Sequence, residues 1–157
     1  MLRDPFGAQA RQYLLSRPTY PSNLISHLLA RVKPHRRQHC LDIACGSGQL
    51  TLALTPYFSH IHGIDRSQAQ LSQAPSHPNV TYETIENASN LSQFSDNVYD
   101  CVTIAQAFHW MESKPSLNEF HRVLKPEGTL GVIGYGICKI ENEDSGKTMC
   151  CDLEKAC

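Results

Sequence analysis

The feature of this sequence that most constrains its fold is a short apolar run that ends in two closely spaced glycines. The run is Leu41-Asp42-Ile43-Ala44-Cys45, and Gly46-Ser47-Gly48-Gln49 follows it. A run of this length bounded by glycine is typical of a buried strand, and residues 49–58 then show the apolar spacing of a helix. Glycine is required where the backbone takes a positive φ or closely approaches a ligand. The segment therefore predicts a tight strand-to-helix turn that offers backbone N–H groups to a polar ligand.

Strand-like and helix-like segments alternate along the rest of the chain. This alternation is typical of a parallel sheet with helices on both faces. Strands are predicted at residues 40–44, 60–65, 80–84, 99–105 and 129–135, and helices at residues 21–33, 49–58, 67–74 and 113–124. The predicted fold class is α/β, a Rossmann-like doubly wound parallel sheet in three α/β/α layers. Ligands of such sheets lie beyond the carboxyl ends of the strands, so residues that follow each strand are candidates for function.

Asp65 ends the second predicted strand and suggests which ligand the glycine turn binds. A carboxylate at this place can accept hydrogen bonds from both hydroxyls of a ribose, which points to a nucleoside cofactor. The alternative is that Asp65 only caps the helix that begins near Ser67. A dinucleotide site would need a third glycine where Thr51 stands, so a nicotinamide cofactor is disfavoured. Asp42 would repel a pyrophosphate and suits a ligand with an amino-acid end.

The sequence resembles the class I S-adenosylmethionine-dependent methyltransferases, and within them the small-molecule group with a methyltransferase type 11 domain that includes trans-aconitate-type enzymes. The resemblance covers about residues 10–136. Four blocks in the family's order carry it, which are Tyr13-x-x-x-Arg17-Pro18-x-Tyr20-Pro21, the loop at residues 41–49, Ala105-Gln106-Ala107-Phe108-His109-Trp110, and His121-Arg122-Val123-Leu124-Lys125-Pro126-Glu127-Gly128.

The resemblance implies S-adenosyl-L-methionine as the cofactor and assigns roles to residues that match its blocks. Ala44, Gly46 and Gly48 would contact the methionine part, Asp42 its amino group, Asp65 the ribose, Arg66 the adenine and Gln106 the region of the methyl-bearing sulfur. Ser89 stands where relatives often place an acid near the adenine amine. Tyr13, Arg17 and Tyr20 belong to a helical segment, residues 1–38, that would fold over the site. Tyr13 would then contact the cofactor, and Arg17 and Tyr20 the substrate.

The block after the fourth predicted strand is the candidate catalytic region. The catalytic candidates are Gln106 and His109, and Trp110 could face the sulfonium or the substrate. The alternative is that Phe108 and Trp110 are core residues and His109 packs or caps. A carboxylate acceptor needs no general base, whereas an amine or hydroxyl would need one, and His109 is the nearby candidate. The predicted reaction is O-methylation of a small carboxylic acid. The competing hypotheses are a non-catalytic fragment that binds the cofactor or a partner subunit, and a nicotinamide-dependent oxidoreductase.

Composition narrows the class of protein further. The chain has 157 residues and a net charge of −1, which favours one domain and disfavours nucleic acid as a partner. No apolar run reaches the ~18–20 residues of a membrane span, the first residues have no signal-peptide pattern, and seven scattered cysteines contain no CxxC pair. We therefore expect a cytoplasmic protein with reduced thiols and no metal site.

The end of the chain departs from the family pattern. The usual sheet has two further strands, whereas residues 137–157 are polar with no strand pattern. We therefore expect a cofactor-binding domain at residues 39–136, a poorly ordered tail at residues 137–157, and a truncated chain. The fifth strand would then be an open edge through which the chain could associate with itself.

Overall fold

The central strands of the sheet are the most buried part of this protein. In the computed structural model, which describes residues 20–134, all seven residues of Tyr99–Ala105 are buried. A strand covered on both faces carries a nearly continuous apolar run, as this one does. The strands are β1 (His39–Ile43), β2 (His60–Asp65), β3 (Val80–Thr84), β4 (Tyr99–Ala105) and β5 (Leu124–Ile133). They pair in parallel in the order β3-β2-β1-β4-β5.

Helices cover both faces of the sheet, which confirms the predicted doubly wound α/β fold. The helices are α1 (Ser22–Leu29), α2 (Gln49–Leu54), α3 (Gln68–Leu71) and α4 (Ser113–Val123), with short 3-10 turns at Pro34–Arg36 and Phe108–Trp110. On one face, α1 and α2 pack against Cys40, Ile61 and Cys101. On the other face, Phe120 and Val123 of α4 pack with the alternate strand residues.

Several predicted boundaries differ from the structure. Helices α1 and α3 end at Leu29 and Leu71, before the predicted residues 33 and 74, and two further differences have local reasons. Helix α2 ends at Leu54 rather than Phe58, since Pro56 cannot donate to a continuing helix. Strand β5 begins at Leu124 rather than at Thr129, directly after α4. Residues 125–128, which separate the predicted helix from the predicted strand, form a bulge inside this strand, because Tyr99 pairs with Leu124 whereas Cys101 pairs with Thr129.

The basic residues before β1 hold the amino-terminal ends of the strands together. Arg37 donates to the carbonyl of Leu29 at 2.9 Å and closes the end of α1. Arg36 donates to the carbonyl of Pro126, and Lys33 pairs with Glu127 at 3.3 Å in the β5 bulge. These cations therefore make structural contacts at the amino-terminal end of the sheet, opposite the glycine turn.

Within residues 20–134, β5 has β4 as its one neighbour, and Val132 is 49% exposed. This agrees with the predicted edge position for the described part of the sheet. Residues 1–19 of the predicted amino-terminal segment, residues 1–38, and the whole of the predicted tail, residues 137–157, lie outside the described residues. No helix among residues 20–134 is long and apolar enough to cross a membrane.

Arg122 fastens the long β3–β4 loop to α4. Its guanidinium donates to both oxygens of Glu119 at 2.9 Å, to the carbonyls of Leu91 and Phe94, and to Asp96 at 2.6 Å. We expect Arg122→Met to lower the free energy of unfolding by about 2 kcal/mol, because it leaves carbonyls without their charged donor. Urea unfolding measures the change.

Lys33→Met is the matched control for Arg122→Met. It removes a cation from an exposed ion pair, whose contribution is about 0–1 kcal/mol. Equal losses in the two variants would contradict the role assigned to Arg122.

Candidate functional site

The glycine turn between β1 and α2 takes a backbone path that L-residues rarely adopt. Ala44, Gly46 and Gly48 have φ values of 53°, 57° and 78°. Cys45 donates its backbone N–H to the carbonyl of Ile64 at 3.0 Å, so the turn stays joined to β2. Left-handed conformations cluster at ligand-binding sites, and the non-glycine Ala44 is the strained member. The turn predicted from the two glycines is present at the carboxyl ends of β1 and β2.

Asp65 ends β2 and holds the turn in place. Its Oδ2 accepts the backbone N–H of Gly46 at 2.8 Å, and its Oδ1 accepts that of Ser67 at 2.8 Å. Ser67 is itself the cap of α3 and accepts the N–H of Gln70 at 3.3 Å. The ribose role and the capping role were predicted as alternatives. The carboxylate does order the start of α3, and each of its oxygens has acceptor capacity beyond one backbone donor.

Asp42 lies at the floor of the site and is 1% exposed. The hydroxyl of Thr51 in α2 donates to Oδ2 at 2.6 Å, and the hydroxyl of Thr103 in β4 donates to Oδ1 at 2.8 Å. Burial raises the pKa of Asp42 to about 6, although both threonine hydrogen bonds act to lower it. The residue that replaces the third glycine of a dinucleotide turn is thus a hydrogen-bond partner of the buried acid.

The side chain of Tyr82 in β3 packs against the glycine turn. Its ring lies over Gly63 of β2, the residue opposite it in the register, and its hydroxyl lies where a side chain on Gly48 would stand. The hydroxyl is buried with no hydrogen-bond partner, and burial raises the pKa of Tyr82 to about 12. Gly48 therefore needs to be glycine for its φ and also for the space that Tyr82 takes.

A pocket opens at this end of the sheet, between the glycine turn and the chain that leads into α1. Its lining residues are Tyr20, Asp42, Ala44, Cys45, Ser47, Gln49, Leu50 and Ala105. Tyr20, predicted to bind substrate, therefore lies beside two predicted cofactor residues. Burial raises the pKa of Cys45 far above its usual value, so its thiol stays protonated.

Two further polar groups near the turn fit a bound cofactor. Oε1 of Gln70, the side-chain atom closest to Gly46 where a Cβ would stand, and Nε2 of Gln106 are buried without a hydrogen-bond partner. Gln106 directly follows β4, has a φ of 58°, and donates its backbone N–H to the carbonyl of Ile133 at 2.8 Å. Buried polar groups without partners are rare and suit a ligand with donors and acceptors. With Asp42 and Asp65, they make a donor and acceptor set that fits an amino-acid-bearing nucleoside.

The residues after Gln106 divide between core and surface. Phe108 packs beside Phe120, with ring centroids 6.4 Å apart, as the core interpretation predicted. Trp110 is 77% exposed, so the core interpretation is wrong for this residue. His109 is exposed, and its ring lies 5.0 Å from that of Trp110. The side chains of Trp110 and His109 are therefore accessible to a substrate.

The remaining predicted site residues lie farther out or outside the described residues. Arg66 is exposed beside Asp65. The hydroxyl of Ser89 accepts a hydrogen bond from Ser116 of α4 at 2.8 Å. Tyr13 and Arg17 fall outside residues 20–134, so their roles stay predictions. Within residues 20–134, no group of three His, Cys, Asp or Glu side chains is placed to hold a metal ion.

Sequence reasoning missed four residues of this site. Thr51 was noted only for not being glycine, and Thr103, Tyr82 and Gln70 were not considered. Strand register places Thr103 opposite Asp42 and Tyr82 opposite Gly63. The spacing of apolar residues within one strand does not specify this register.

The fold and the site define a Rossmann-like domain whose polar groups fit an amino-acid-bearing nucleoside, and comparison with known proteins specifies the family. Residues 41–132 match the family described as "Methyltransferase domain". This protein belongs to that family, in the class I S-adenosylmethionine-dependent methyltransferases.

Two curated relatives and one solved structure illustrate the similarity. A Dictyostelium discoideum protein assigned as a methyltransferase is 34% identical over 93% of this chain and 54% of its own length. The Saccharomyces cerevisiae protein CRG1, assigned as S-adenosylmethionine-dependent, is 31% identical over 81% of this chain and 45% of its own. A type II methyltransferase structure from Anaeromyxobacter dehalogenans has a TM-score of 0.68 and 35% identity, over 81% of this chain and 52% of that one. The chain thus spans about half the length of the relatives it matches.

Proposed function

We propose that this protein binds S-adenosyl-L-methionine and transfers its methyl group to a small carboxylic acid. The observation that carries the proposal is the Asp65 carboxylate, which joins the end of β2 to the Gly46 backbone in the turn of a methyltransferase domain. Asp65 would bind the ribose, Asp42 the amino group, and Gly46 and Gly48 would allow close backbone approach. When bound, the cofactor would supply an electrophilic methyl group on a sulfonium, and the thioether S-adenosylhomocysteine would be the leaving group.

The chemistry of the pocket supports an acceptor that arrives already ionised. Asp42 is proposed to hold the amino group of the cofactor in addition to the hydroxyls of Thr51 and Thr103, and burial keeps Cys45 protonated. Neither residue is suited to take a proton from a hydroxyl or an amine. A carboxylate has no proton to lose, so alignment and exclusion of water suffice. His109 and Trp110, both exposed beside Gln106, are proposed to contact the acceptor.

The test separates cofactor binding from transfer. S-adenosylhomocysteine and NAD⁺ are titrated calorimetrically into the purified chain, and we expect only S-adenosylhomocysteine to bind. Transfer of a labelled methyl group is then assayed on a panel of carboxylic acids, each paired with its primary amide as a non-ionised control, and on the corresponding alcohols and amines. Label in the acids and not in the amides would support the proposal.

The other outcomes identify the alternatives. A folded protein that binds neither nucleoside would contradict the proposed cofactor, and NAD⁺ binding would favour an oxidoreductase. Label in hydroxyl or amine compounds alone would exclude the carboxylic acid as acceptor. Binding without transfer to any compound would favour a non-catalytic chain that binds the cofactor.

A further inference from the structure

We propose that Thr51 and Thr103 are positioning residues that keep Asp42 ionised at the floor of the pocket and so set the pH range over which the amino end of the cofactor is bound. This inference rests on the proposed function, because it concerns the same site. It adds a role for two residues that lie outside every motif used to recognise the family.

Thr51 and Thr103 form a clamp, in which each hydroxyl holds one carboxylate oxygen of Asp42. Thr51 comes from α2, Thr103 comes from β4, and each donates its hydroxyl to a different oxygen of Asp42, at 2.6 and 2.8 Å. Both threonines are 0% exposed, so water does not replace either hydrogen bond. Asp42 and Thr103 face each other in the β1–β4 register, which fixes their separation. The carboxylate is therefore held by two elements at once and turned toward the pocket that it lines.

The surroundings of Asp42 otherwise oppose its charge. Burial disfavours the carboxylate, and the negative charge of Asp65 at the end of the neighbouring strand disfavours it further. The titratable groups Cys40 of β1, Cys45 of the glycine turn and Tyr82 of β3 also lie near it, and its charge in turn raises the pKa of each of them. The threonine hydroxyls favour the ionised form. Their loss would leave Asp42 neutral over part of the physiological pH range.

A neutral Asp42 would bind the ammonium group of the cofactor less well. Charged hydrogen bonds are about twice as strong as neutral ones, so the state of Asp42 matters to affinity. The pH dependence of cofactor binding should therefore report on the clamp. A merely structural role of the threonines would lower affinity equally at all pH values.

The experiment measures the affinity for S-adenosylhomocysteine against pH in the wild-type protein and in Thr51→Val and Thr103→Val. Valine matches threonine in shape and replaces the hydroxyl with a methyl group that cannot donate a hydrogen bond. We expect each valine variant to shift the acidic midpoint of binding upward by about one pH unit. Affinity should then fall by close to tenfold near pH 5.5 and by less than about twofold near pH 8.5. Thr51→Ser and Thr103→Ser retain the hydroxyl and should restore the wild-type profile.

Methylthioadenosine is the matched control ligand, because it keeps the nucleoside and lacks the amino-acid end. Its affinity should be the same in the wild-type protein and in all threonine variants. A valine variant that weakens both ligands by the same factor at every pH would overturn the inference and leave only a structural role.

A second readout separates this inference from the proposed function. The carboxyl carbon resonance of Asp42, followed by NMR against pH without any ligand, gives its titration directly. We expect the midpoint to move upward in either valine variant, even in a protein that bound no nucleoside. An unchanged midpoint in a folded valine variant would overturn the clamp whatever the binding data showed. If one variant does not fold, the other tests the same clamp from the opposite oxygen.

Discussion

Asp65→Ala is expected to reduce the affinity for S-adenosylhomocysteine by more than about 100-fold. The carboxylate is proposed to accept both ribose hydroxyls, and hydrogen bonds to a charged group contribute about 1.5–3 kcal/mol each. The variant also leaves the backbone N–H groups of Gly46 and Ser67 without their acceptor, so the glycine turn keeps the Cys45–Ile64 hydrogen bond to β2 but loses the one made by Asp65. Isothermal titration calorimetry measures the affinity, and circular dichroism verifies that the variant is folded.

Two variants make the Asp65 result specific. Asp65→Asn keeps one oxygen for a backbone donor and removes the charge, so it should bind better than Asp65→Ala and far worse than wild type. Glu127→Gln removes a carboxylate from the β5 bulge at the opposite end of the sheet and should bind normally. Wild-type affinity in a folded Asp65→Ala protein would show that the cofactor lies elsewhere.

Asp42→Asn is expected to weaken cofactor binding. It is also expected to abolish a loss of stability that Asp42 causes in the wild-type protein as the pH rises from acid to neutral. Burial raises the pKa of Asp42 from 3.8 to about 6, so the folded state holds this proton more tightly than the unfolded state. The stabilising effect of the protonated form is complete below about pH 3.8 and is lost as the pH rises to about 6, which amounts to about 3 kcal/mol. Asparagine does not titrate, so this loss disappears in the variant.

Urea unfolding at about pH 4.5 and 7.5 should show the difference between the two proteins. The free energy of unfolding of Asp42→Asn, relative to wild type, should rise by about 2 kcal/mol between these pH values. Other carboxylates titrate in both proteins and cancel in the comparison. Parallel stability profiles of the two proteins would show that Asp42 titrates normally and is less desolvated than its burial indicates.

Asp100→Asn is the matched control for the Asp42 experiment. Burial acts to raise the pKa of Asp100, but hydrogen bonds from Lys125 and from the backbone of His39 and Gln38 outweigh it and hold the pKa below its usual range. The stabilisation from Asp100 is therefore present above about pH 3.8 and is lost only below it. Asp100→Asn should lower stability by a nearly constant amount between about pH 4.5 and 7.5.

The charge of Asp42 has opposite effects on stability and on the proposed binding of the cofactor. An ionised carboxylate in a buried position destabilises the fold, and the protein retains it at the end of the site where the cofactor's ammonium group is proposed to bind. Binding sites commonly sacrifice stability in this way. Asp65→Ala should therefore lose affinity and weaken the glycine turn, whereas Asp42→Asn should lose affinity while its stability relative to wild type rises from acid to neutral pH.

The sequence by itself was sufficient for the architecture and for the place of the site. The apolar runs of β2, β3 and β4 have the predicted boundaries, because short runs between turn residues leave little choice of strand. The glycine turn and Asp65 were predicted at the carboxyl ends of β1 and β2, and they are there. These features depend on local spacing and on residue chemistry, which a sequence carries directly.

Only the tertiary structure decided how the acids of the site are held. The partners of Asp42 are Thr51, nine residues away, and Thr103, 61 residues away, and strand register together with helix packing brings the three together. The same holds for the position of Tyr82 against Gly48, and for the exposure of Trp110 while Phe108, two residues earlier, packs against the core. Hydrophobic spacing indicates which face of an element is buried, but side-chain partners across elements depend on register, and register is set by the packing of the whole sheet.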